Sequence, residues 1–395
     1  MQTTIPIKLI LLLAAVFAMT PFAINSYLPA VPLIATDMGV NTSTISITVS
    51  IYIFGMAIGQ LIGGPLSDKV GRKKIMVAGL VIFAVFSLML SATKSVELFW
   101  LWRVLQSIGG GIAVVGVSAT IRDVAEGQQA AKLFSLIALI MMAAPSLAPS
   151  IGTLILNTLS WHWIFSLSGM LALAVAVAAV LIMPPQLKKT HKPKSIGFKG
   201  VFQHKQALGY LASVAFSYSV LITFITNAPF VYLINYGVST TLFSSLFIAN
   251  ITGLIAINRL NSYLLNRFDP ERLLPNFIKL QLIGTSVLIA SQLFAPESLW
   301  FAVCGFVLSI AANGGIMANA NASFMRHFGK NAGTASAALG ATQFFVGASI
   351  SAVAALLSQH SLWPMIIIMF SCALLSLFGA ITANRRNHIH QSSAG

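Results

Sequence analysis

The chain has 395 residues, of which 57% are hydrophobic and 8% carry a charge, whereas soluble domains contain roughly 25% charged residues. A soluble protein could not bury that much apolar surface, and two cysteines in the whole chain exclude a disulfide-stabilised secreted scaffold. The mean hydropathy of +0.88 therefore indicates an integral membrane protein. The pI near 10.1 suggests nucleic-acid binding, but the basic residues lie in short loops between apolar runs, so we expect no nucleic-acid partner.

Twelve apolar runs are long enough to span a bilayer as helices, since a spanning helix needs about 20 residues. They cover residues 8–33, 44–66, 74–93, 97–121, 131–156, 161–183, 207–235, 240–259, 273–294, 298–323, 332–357 and 362–383. No run shows the alternation of a membrane β-barrel, so the sequence predicts an all-α membrane protein. The first run resembles a signal peptide, but no small-residue cleavage site closes it, and we interpret it as an uncleaved helix.

The placement of positive charge predicts the orientation of the chain. With the N-terminus in the cytoplasm, 21 of the 23 Lys and Arg fall at the cytoplasmic face, whereas Lys94 lies outside and Arg103 lies within a span. Cytoplasmic loops carry such an excess of Lys and Arg. We therefore predict that both termini are cytoplasmic.

One basic segment divides the chain into two sets of six spans. Residues 184–206 contain six lysines, three prolines and no acidic residue. We predict an N-terminal six-helix bundle over 1–183, a basic cytoplasmic linker over 184–206, a C-terminal six-helix bundle over 207–383 and a cytoplasmic tail over 384–395. A loop that faces anionic lipid headgroups explains the basic segment equally well and is compatible with a linker.

Six plus six helices with a basic central loop resemble the major facilitator superfamily, and local motifs strengthen the resemblance. The loop Gly64-Pro-Leu-Ser-Asp68-Lys-Val-Gly71-Arg72-Lys-Lys74 resembles that superfamily's G-x-L-a-D-r-x-G-R-k loop, and residues 266–272 are a degraded copy in the second half. Residues 103–111 are similar to the family's R-x-x-Q-G-x-G motif. Residues 144–152 are similar to the Pro/Gly motif of its antiporters.

Four further segments narrow the resemblance to one branch. They are residues 27–30, 122–124, 161–165, and 332–336 together with 343–344. Together they resemble the bicyclomycin/chloramphenicol-resistance branch of drug:proton antiporters. The resemblance implies two pseudo-symmetric six-helix bundles in the bacterial inner (plasma) membrane, a small-molecule substrate and protons as the coupling ion.

The loop after the second span is a candidate gate. We expect residues 64–65 to end a helix and Gly71 to adopt a positive φ. Asp68, Arg72 and Asp123 are expected to form a charge cluster that locks one bundle against the other in one state and releases it in the next. A tight turn that only sets the topology is the alternative.

The fifth predicted span places Pro145, Pro149 and Gly152 on one helical face. Proline removes a backbone donor and bends a helix. We expect this face to be a rocking surface between the bundles. Ordinary packing of small residues is the alternative.

Arg103 and Gln106 share one face of the fourth span. A charge at membrane depth is costly, so Arg103 is expected to anchor substrate in the central cavity and to need a partner; snorkelling to the outer interface is the alternative. None of the eight acidic residues falls in the middle of a span. In the resembled branch the first helix usually carries an Asp two residues before Tyr-Leu-Pro, and here that position is Asn25. Since an amide does not titrate, proton coupling is in question.

Buried polar residues complete the candidate substrate site. The predicted substrate-binding residues are Asn25, Tyr27, Arg103, Gln106, Tyr218, Asn227, Asn313 and Gln343. For each, an interhelical hydrogen bond is the alternative. The sequence contains no metal-ligand spacing, phosphate loop or nucleophile–base pair, so we expect no metal, no cofactor and no enzymatic activity.

These features favour a secondary transporter that exports a small amphipathic drug or metabolite by alternating access, as a monomer in the lipid bilayer. A cavity with Arg103 and no carboxylate also suits a transporter of an anionic metabolite, such as a carboxylate siderophore. A non-transporting receptor or a membrane enzyme is the remote alternative, because the chain has no additional soluble domain and no catalytic group.

Overall fold

The computed structural model describes residues 6–124, 144–145, 147–183, 197–328 and 332–392. Within these ranges the backbone forms helices joined by short turns and contains no strand. The predicted all-α class is therefore confirmed.

Sixteen helices make up the described part of the chain. They are α1 (Ile7–Asn25), α2 (Val31–Asp37), α3 (Thr42–Ser46), α4 (Thr48–Val70), α5 (Arg72–Ala92), α6 (Val96–Val124), α7 (Leu147–Thr158), α8 (Trp161–Ile182), α9 (Gly197–Gln203), α10 (Lys205–Ala228), α11 (Thr240–Leu264), α12 (Pro270–Phe294), α13 (Leu299–Ala311), α14 (Asn313–Met325), α15 (Ala332–Leu357) and α16 (Trp363–Ser392). In this part of the chain, eleven helical stretches are long and apolar enough to cross a membrane, and α7 is a shorter apolar helix. Most of the predicted fifth span, 131–156, lies outside the described residues.

The chain divides into two compact units. Unit 1 comprises Met1–His191 and Ser239–Ser245, and unit 2 comprises Lys192–Val238 and Leu246–Gly395. In unit 1, α6 packs along both α4 and α5, and α8 packs against α5 and α1. In unit 2, α10 packs against α15 and α16, while α12 packs against α13 and α16. The bundle boundaries drawn from the sequence stay a prediction.

Three spans that the sequence presents as single helices are interrupted. In the first span, a 3₁₀ turn over Leu28–Ala30 separates α1 from α2. In the second, α10 continues as a π-helix over Pro229–Asn235. The third interruption, at Ala312, separates α13 from α14. Such breaks leave backbone carbonyls without an intrahelical donor, so they are tolerated at membrane depth only where other groups satisfy those carbonyls.

The candidate gate loop differs in one respect from the prediction. The helix does not end at residues 64–65, because α4 continues with Pro65 inside it as far as Val70. A proline inside a helix removes one backbone hydrogen bond and need not end the helix in a membrane protein. The turn lies instead at Gly71, whose φ of +107° confirms the predicted positive φ. Residues 122–124, which we expected to follow the fourth span, form the end of α6.

Candidate functional site

Arg103 on α6 is wholly buried, with 0% of its surface exposed. Its Nη1 donates a hydrogen bond to Gln106 Oε1 at 2.8 Å. Nη1 and Nη2 also donate to the backbone oxygen of Ala23 at 3.3 and 3.4 Å. The snorkelling alternative does not agree with this position, because a snorkelling side chain exposes its charged end.

Neutral groups balance the charge of Arg103 within the described residues. Ala23 lies in the last turn of α1, where carbonyls lack intrahelical donors and the helix end has a partial negative charge. The guanidinium carbon of Arg103 lies 4.5 Å from the ring centre of Tyr27 and 4.7 Å from that of Tyr52, and aromatic faces attract cations. The sequence did not indicate a partner for Arg103, because a free carbonyl at a helix break has no side-chain signature.

Neighbouring hydrogen bonds fix this arrangement. Gln106 Nε2 donates to Ser87 Oγ on α5 at 2.7 Å, and Ser87 Oγ donates to the oxygen of Phe83 at 2.7 Å. Tyr27 Oη and Thr48 Oγ1 are 2.7 Å apart. We call Arg103, Ala23, Tyr27, Tyr52 and Gln106 the Arg103 cluster; it joins α1, α4 and α6 within unit 1.

One nitrogen of the Arg103 cluster remains unsatisfied. Arg103 Nε is buried and makes no hydrogen bond to any described residue. Buried polar atoms in native proteins are paired with protein or with ordered water in the large majority of cases. Arg103 Nε is therefore a donor of this guanidinium that is left for a water molecule or another acceptor.

Asn25 lies near the Arg103 cluster in the sequence but does not bond to it. Its side chain is 3% exposed, and Nδ2 donates to the oxygen of Pro21 at 2.7 Å. Asn25 Oδ1 is buried and has no hydrogen-bond partner among the described residues. Since Asn25 is two residues from Ala23, the two project from different sides of α1. The position of the usual carboxylate of the resembled branch therefore makes no hydrogen bond to Arg103 among the described residues.

Unit 2 contains a second buried polar cluster. Ser217 Oγ on α10 lies 2.9 Å from Gln281 Oε1 on α12 and 3.2 Å from Asn313 Oδ1 at the start of α14. Gln281 was not among the residues predicted from the sequence, although a lone amide inside an apolar span is a signal that could have identified it. Asn227 is buried and donates from Nδ2 to the oxygen of Thr223 at 2.8 Å.

Tyr218 and Gln343 are the predicted substrate-binding residues that retain exposed surface. The Tyr218 ring lies 5.6 Å from that of Phe344 on α15. Tyr218 also packs against Gly347, where an added Cβ would come within 2.8 Å of the ring. The two partly exposed side chains thus belong to neighbouring helices of unit 2.

The gating candidates are described in part. Arg72 Nη1 donates to Ser67 Oγ at 3.0 Å across the Gly71 turn, and Lys73 Nζ donates to the oxygen of Met183 at 2.9 Å. The side chains of Asp68 and Asp123 lie outside the described part of the structure. The charge cluster that includes them stays a prediction.

The Pro/Gly face of the fifth span meets the break in the first. Pro149 and Gly152 are buried on α7, and Pro145, which precedes α7, is half-buried. A Cβ added to Gly152 would overlap the backbone oxygen of Ser26, immediately after α1. A glycine is therefore required for this approach, whereas the rocking role of the face stays a prediction.

The family is decided by comparison with known proteins. The family model described as Major Facilitator Superfamily matches residues 11–352. The chain belongs to the major facilitator superfamily. The fold and family expected from the sequence are thereby confirmed.

The relatives of this superfamily member include drug-resistance proteins. A bicyclomycin resistance protein homolog from Haemophilus influenzae is 31% identical over 384 residues, which are 96% of each chain. Multidrug resistance protein MdtL from Citrobacter koseri is 27% identical and covers 96% of this chain and 97% of its own length. A chloramphenicol resistance protein from Pseudomonas aeruginosa is 25% identical, with coverages of 93% and 90%.

Solved structures agree with the fold. The POT family transporter PepTSo superimposes with a TM-score of 0.76 at 13% identity, and the match covers 98% of this chain and 99% of that chain. The xylose transporter XylE from E. coli, in a partially occluded inward-open conformation, gives 0.72 at 15% identity, with coverages of 95% and 96%. The protein is therefore a multi-pass membrane transporter homologous to drug-resistance efflux proteins.

Proposed function

We propose that this transporter exports a small amphipathic drug or metabolite across the bacterial inner membrane by alternating access. Support comes from the resistance proteins that it resembles over nearly their whole length. We further propose that it works as a monomer in the lipid bilayer, with cytoplasmic termini and tail (384–395). Two bundles, 1–183 and 207–383, would move about the linker 184–206.

The substrate class follows from the Arg103 cluster. Arg103 is a buried cation whose described partners are a carbonyl, an amide and three aromatic rings, those of Tyr27, Tyr52 and Phe165. Its charge is therefore not cancelled by a carboxylate in this cluster. At an effective dielectric constant of about 20, a monocation 8 Å from the guanidinium would be repelled by roughly 2 kcal/mol. We infer that uncharged and anionic compounds are preferred over cations.

An anionic metabolite, such as a carboxylate siderophore, is the second candidate, and the same cluster favours it. The membrane potential contributes about 2.3 kcal/mol per charge per 100 mV, so it would drive a monoanion outward against a gradient of tens-fold. Asn25 does not titrate, and the acidic residues within the described ranges lie near helix ends or in connecting segments. Export of an anion therefore needs no proton at a central carboxylate.

The gate we propose is the turn at Gly71. Arg72 donates a hydrogen bond to Ser67 across this turn, and Ser67 directly precedes Asp68 in the sequence. We propose that Asp68, Arg72 and Asp123 lock the two bundles alternately. Pro145, Pro149 and Gly152 would then shape the surface that rocks.

A ligand screen tests this function. We expect purified protein to be stabilised against heat by uncharged or anionic amphipathic compounds, because a ligand at one hundred times its Kd adds about 2.7 kcal/mol to the stability of the folded state. Vesicles containing the protein should then accumulate or release the same compounds. Stabilisation by lipophilic cations alone would overturn the substrate class.

A further inference from the structure

Two histidines meet in unit 2, where α10 begins and α14 ends. His204 directly precedes α10 and His327 follows α14, and their ring centres are 4.9 Å apart. Phe328 packs against the His204 ring at 5.4 Å. Tyr210 lies nearly parallel to the His327 ring, with 6.0 Å between the centres. The transport scheme above assigns no role to either histidine.

The ring of His204 is the N-cap of α10. The backbone N–H of Ala207 donates to His204 Nδ1 at 3.4 Å. A ring nitrogen accepts a hydrogen bond only when it is unprotonated. Protonation at Nδ1 would leave a helix N–H without its acceptor, and it would also place a cation at the positive end of a helix.

The surroundings of His327 also favour its neutral form. Its Nε2 is buried and has no hydrogen-bond partner among the described residues. Burial, together with His204 and then Arg326, lowers the pKa of His327 below its ordinary value, and Glu271 opposes this shift. The contact between the two rings therefore persists while neither binds a proton.

In the described part of the chain, the carboxylate beside the pair already has a partner. Glu271 on α12 already forms an ion pair with Arg326 at 3.4 Å, and its backbone oxygen accepts from Asn384 Nδ2 at 2.7 Å. Tyr210 Oη donates to Asn384 Oδ1 at 2.8 Å. Lys205, the first residue of α10, adds a second cation next to His204 in the chain. Among the described residues, a proton on either histidine would thus add a positive charge near Arg326 and Lys205, while Glu271 is already paired with Arg326.

We propose that His204 and His327 form an acid-sensitive latch, which holds the start of α10 against the end of α14 while both rings are neutral and releases them when either is protonated. The same α10 contains Tyr218 and Asn227 of the candidate substrate site. Release of its first turn would therefore also affect the candidate substrate site. The proposed topology decides that the latch responds to the pH of the cytoplasm. The contact between the two rings does not depend on that topology.

The direction of the pH dependence follows from linkage. In the packed arrangement burial lowers the pKa of His327, and in the released arrangement His327 regains an ordinary pKa near 6.5, so the released arrangement binds more protons. The packed arrangement therefore loses stability as the pH falls through about 6.5 and keeps it at higher pH.

Hydrogen exchange of the full chain in lipid nanodiscs measures the latch directly. We expect amides of residues 205–212 and 320–328 to exchange faster at a pH of about 6 than at about 8, after correction for the intrinsic pH dependence. At a pH of about 6 the acceleration should be at most about fourfold for each histidine of ordinary pKa 6.5, and it approaches tenfold for each unit by which packing lowers the pKa only at a pH below the lowered value. Amides of α5 in unit 1 should show no such change.

Matched variants separate titration from packing. His204→Asn keeps an oxygen acceptor at the N-cap without titrating, and His327→Gln keeps a polar side chain there. The double variant should exchange slowly at both pH values, whereas His204→Ala should exchange fast at both. His360→Gln, at an exposed position, should behave like the wild type. Exchange that does not depend on pH in the wild type, or a dependence that survives in His204→Asn/His327→Gln, would overturn the latch.

Discussion

Substituting Arg103 by Lys and by Met distinguishes two ways of balancing this buried cation. Either neutral acceptors and aromatic rings balance its charge, or an anionic partner does. In the structure the guanidinium bonds at once to Gln106 and to Ala23 and lies against two tyrosine rings. An ammonium group keeps the charge but cannot reproduce the planar fork that reaches both acceptors. Methionine removes the charge and keeps a flexible apolar chain of similar length.

The expected magnitudes follow from these contacts. Arg103→Lys loses one hydrogen bond of a charged donor, which is about 1.5–3 kcal/mol, and it keeps the cost of burying a cation. Arg103→Met leaves two neutral acceptors without donors, which costs about 1–3 kcal/mol each, but relieves a desolvation penalty of several kcal/mol. We therefore expect the Met variant to be at least as stable as the Lys variant, and both to lose transport.

Thermal unfolding in detergent and flux into vesicles measure the two effects separately. Lys94→Met, which removes an exposed cation, is the control and should leave both quantities unchanged. If an anionic partner neutralised Arg103, removal of the cation would leave a buried charge and cost about 3–5 kcal/mol. An unfolding temperature for Arg103→Met far below that of Arg103→Lys would therefore refute the carboxylate-free arrangement.

Three other substitutions test the packing, the gate and the missing carboxylate. Gly152→Ala should lower the unfolding temperature and abolish transport, because its Cβ would overlap the backbone of Ser26, whereas Gly340→Ala has open space around its Cβ and should do neither. Arg72→Ala should abolish flux while protein level and substrate binding persist; a wild-type flux would mean that the turn only sets the topology. Asn25→Asp should add pH dependence to flux or shift preference towards cationic compounds, and an unchanged pH profile would speak against this position as the lost proton site.

The sequence predicted the elements that depend on local composition. Apolar runs marked the spans, and the glycine in the motif marked the turn with positive φ at Gly71, which the structure confirms. The helix end expected at residues 64–65 was wrong, because the local signal of a proline does not tell whether a membrane helix stops there or continues. The breaks at residues 28–30 and at Ala312 were also missed. Tertiary contacts compensate for the lost backbone bonds there, and the local sequence does not reveal those contacts.

The candidate site was predicted less completely than the fold. A lone arginine in an apolar span identified Arg103, and its helical spacing to Gln106 correctly suggested a shared face, which their 2.8 Å hydrogen bond confirms. The acceptor at Ala23 could not be predicted, since any residue supplies a carbonyl and only the end of α1 leaves this one available. The histidine pair could not be predicted from the sequence either, because His204 and His327 are 123 positions apart in the chain.

Flux in reconstituted vesicles, with pH gradient and membrane potential imposed independently, tests the central claim that export needs no proton at a central carboxylate. At equal pH on both sides, a membrane potential negative inside should accelerate the exit of an anionic substrate. With the potential clamped at zero and the side that carries His204 and His327 held at a pH of about 8, a pH gradient alone should not accelerate it. Strong acceleration by the pH gradient at zero potential, lost in Asp68→Asn or Asp123→Asn, would contradict the account and identify a proton site at the ends of α4 and α6.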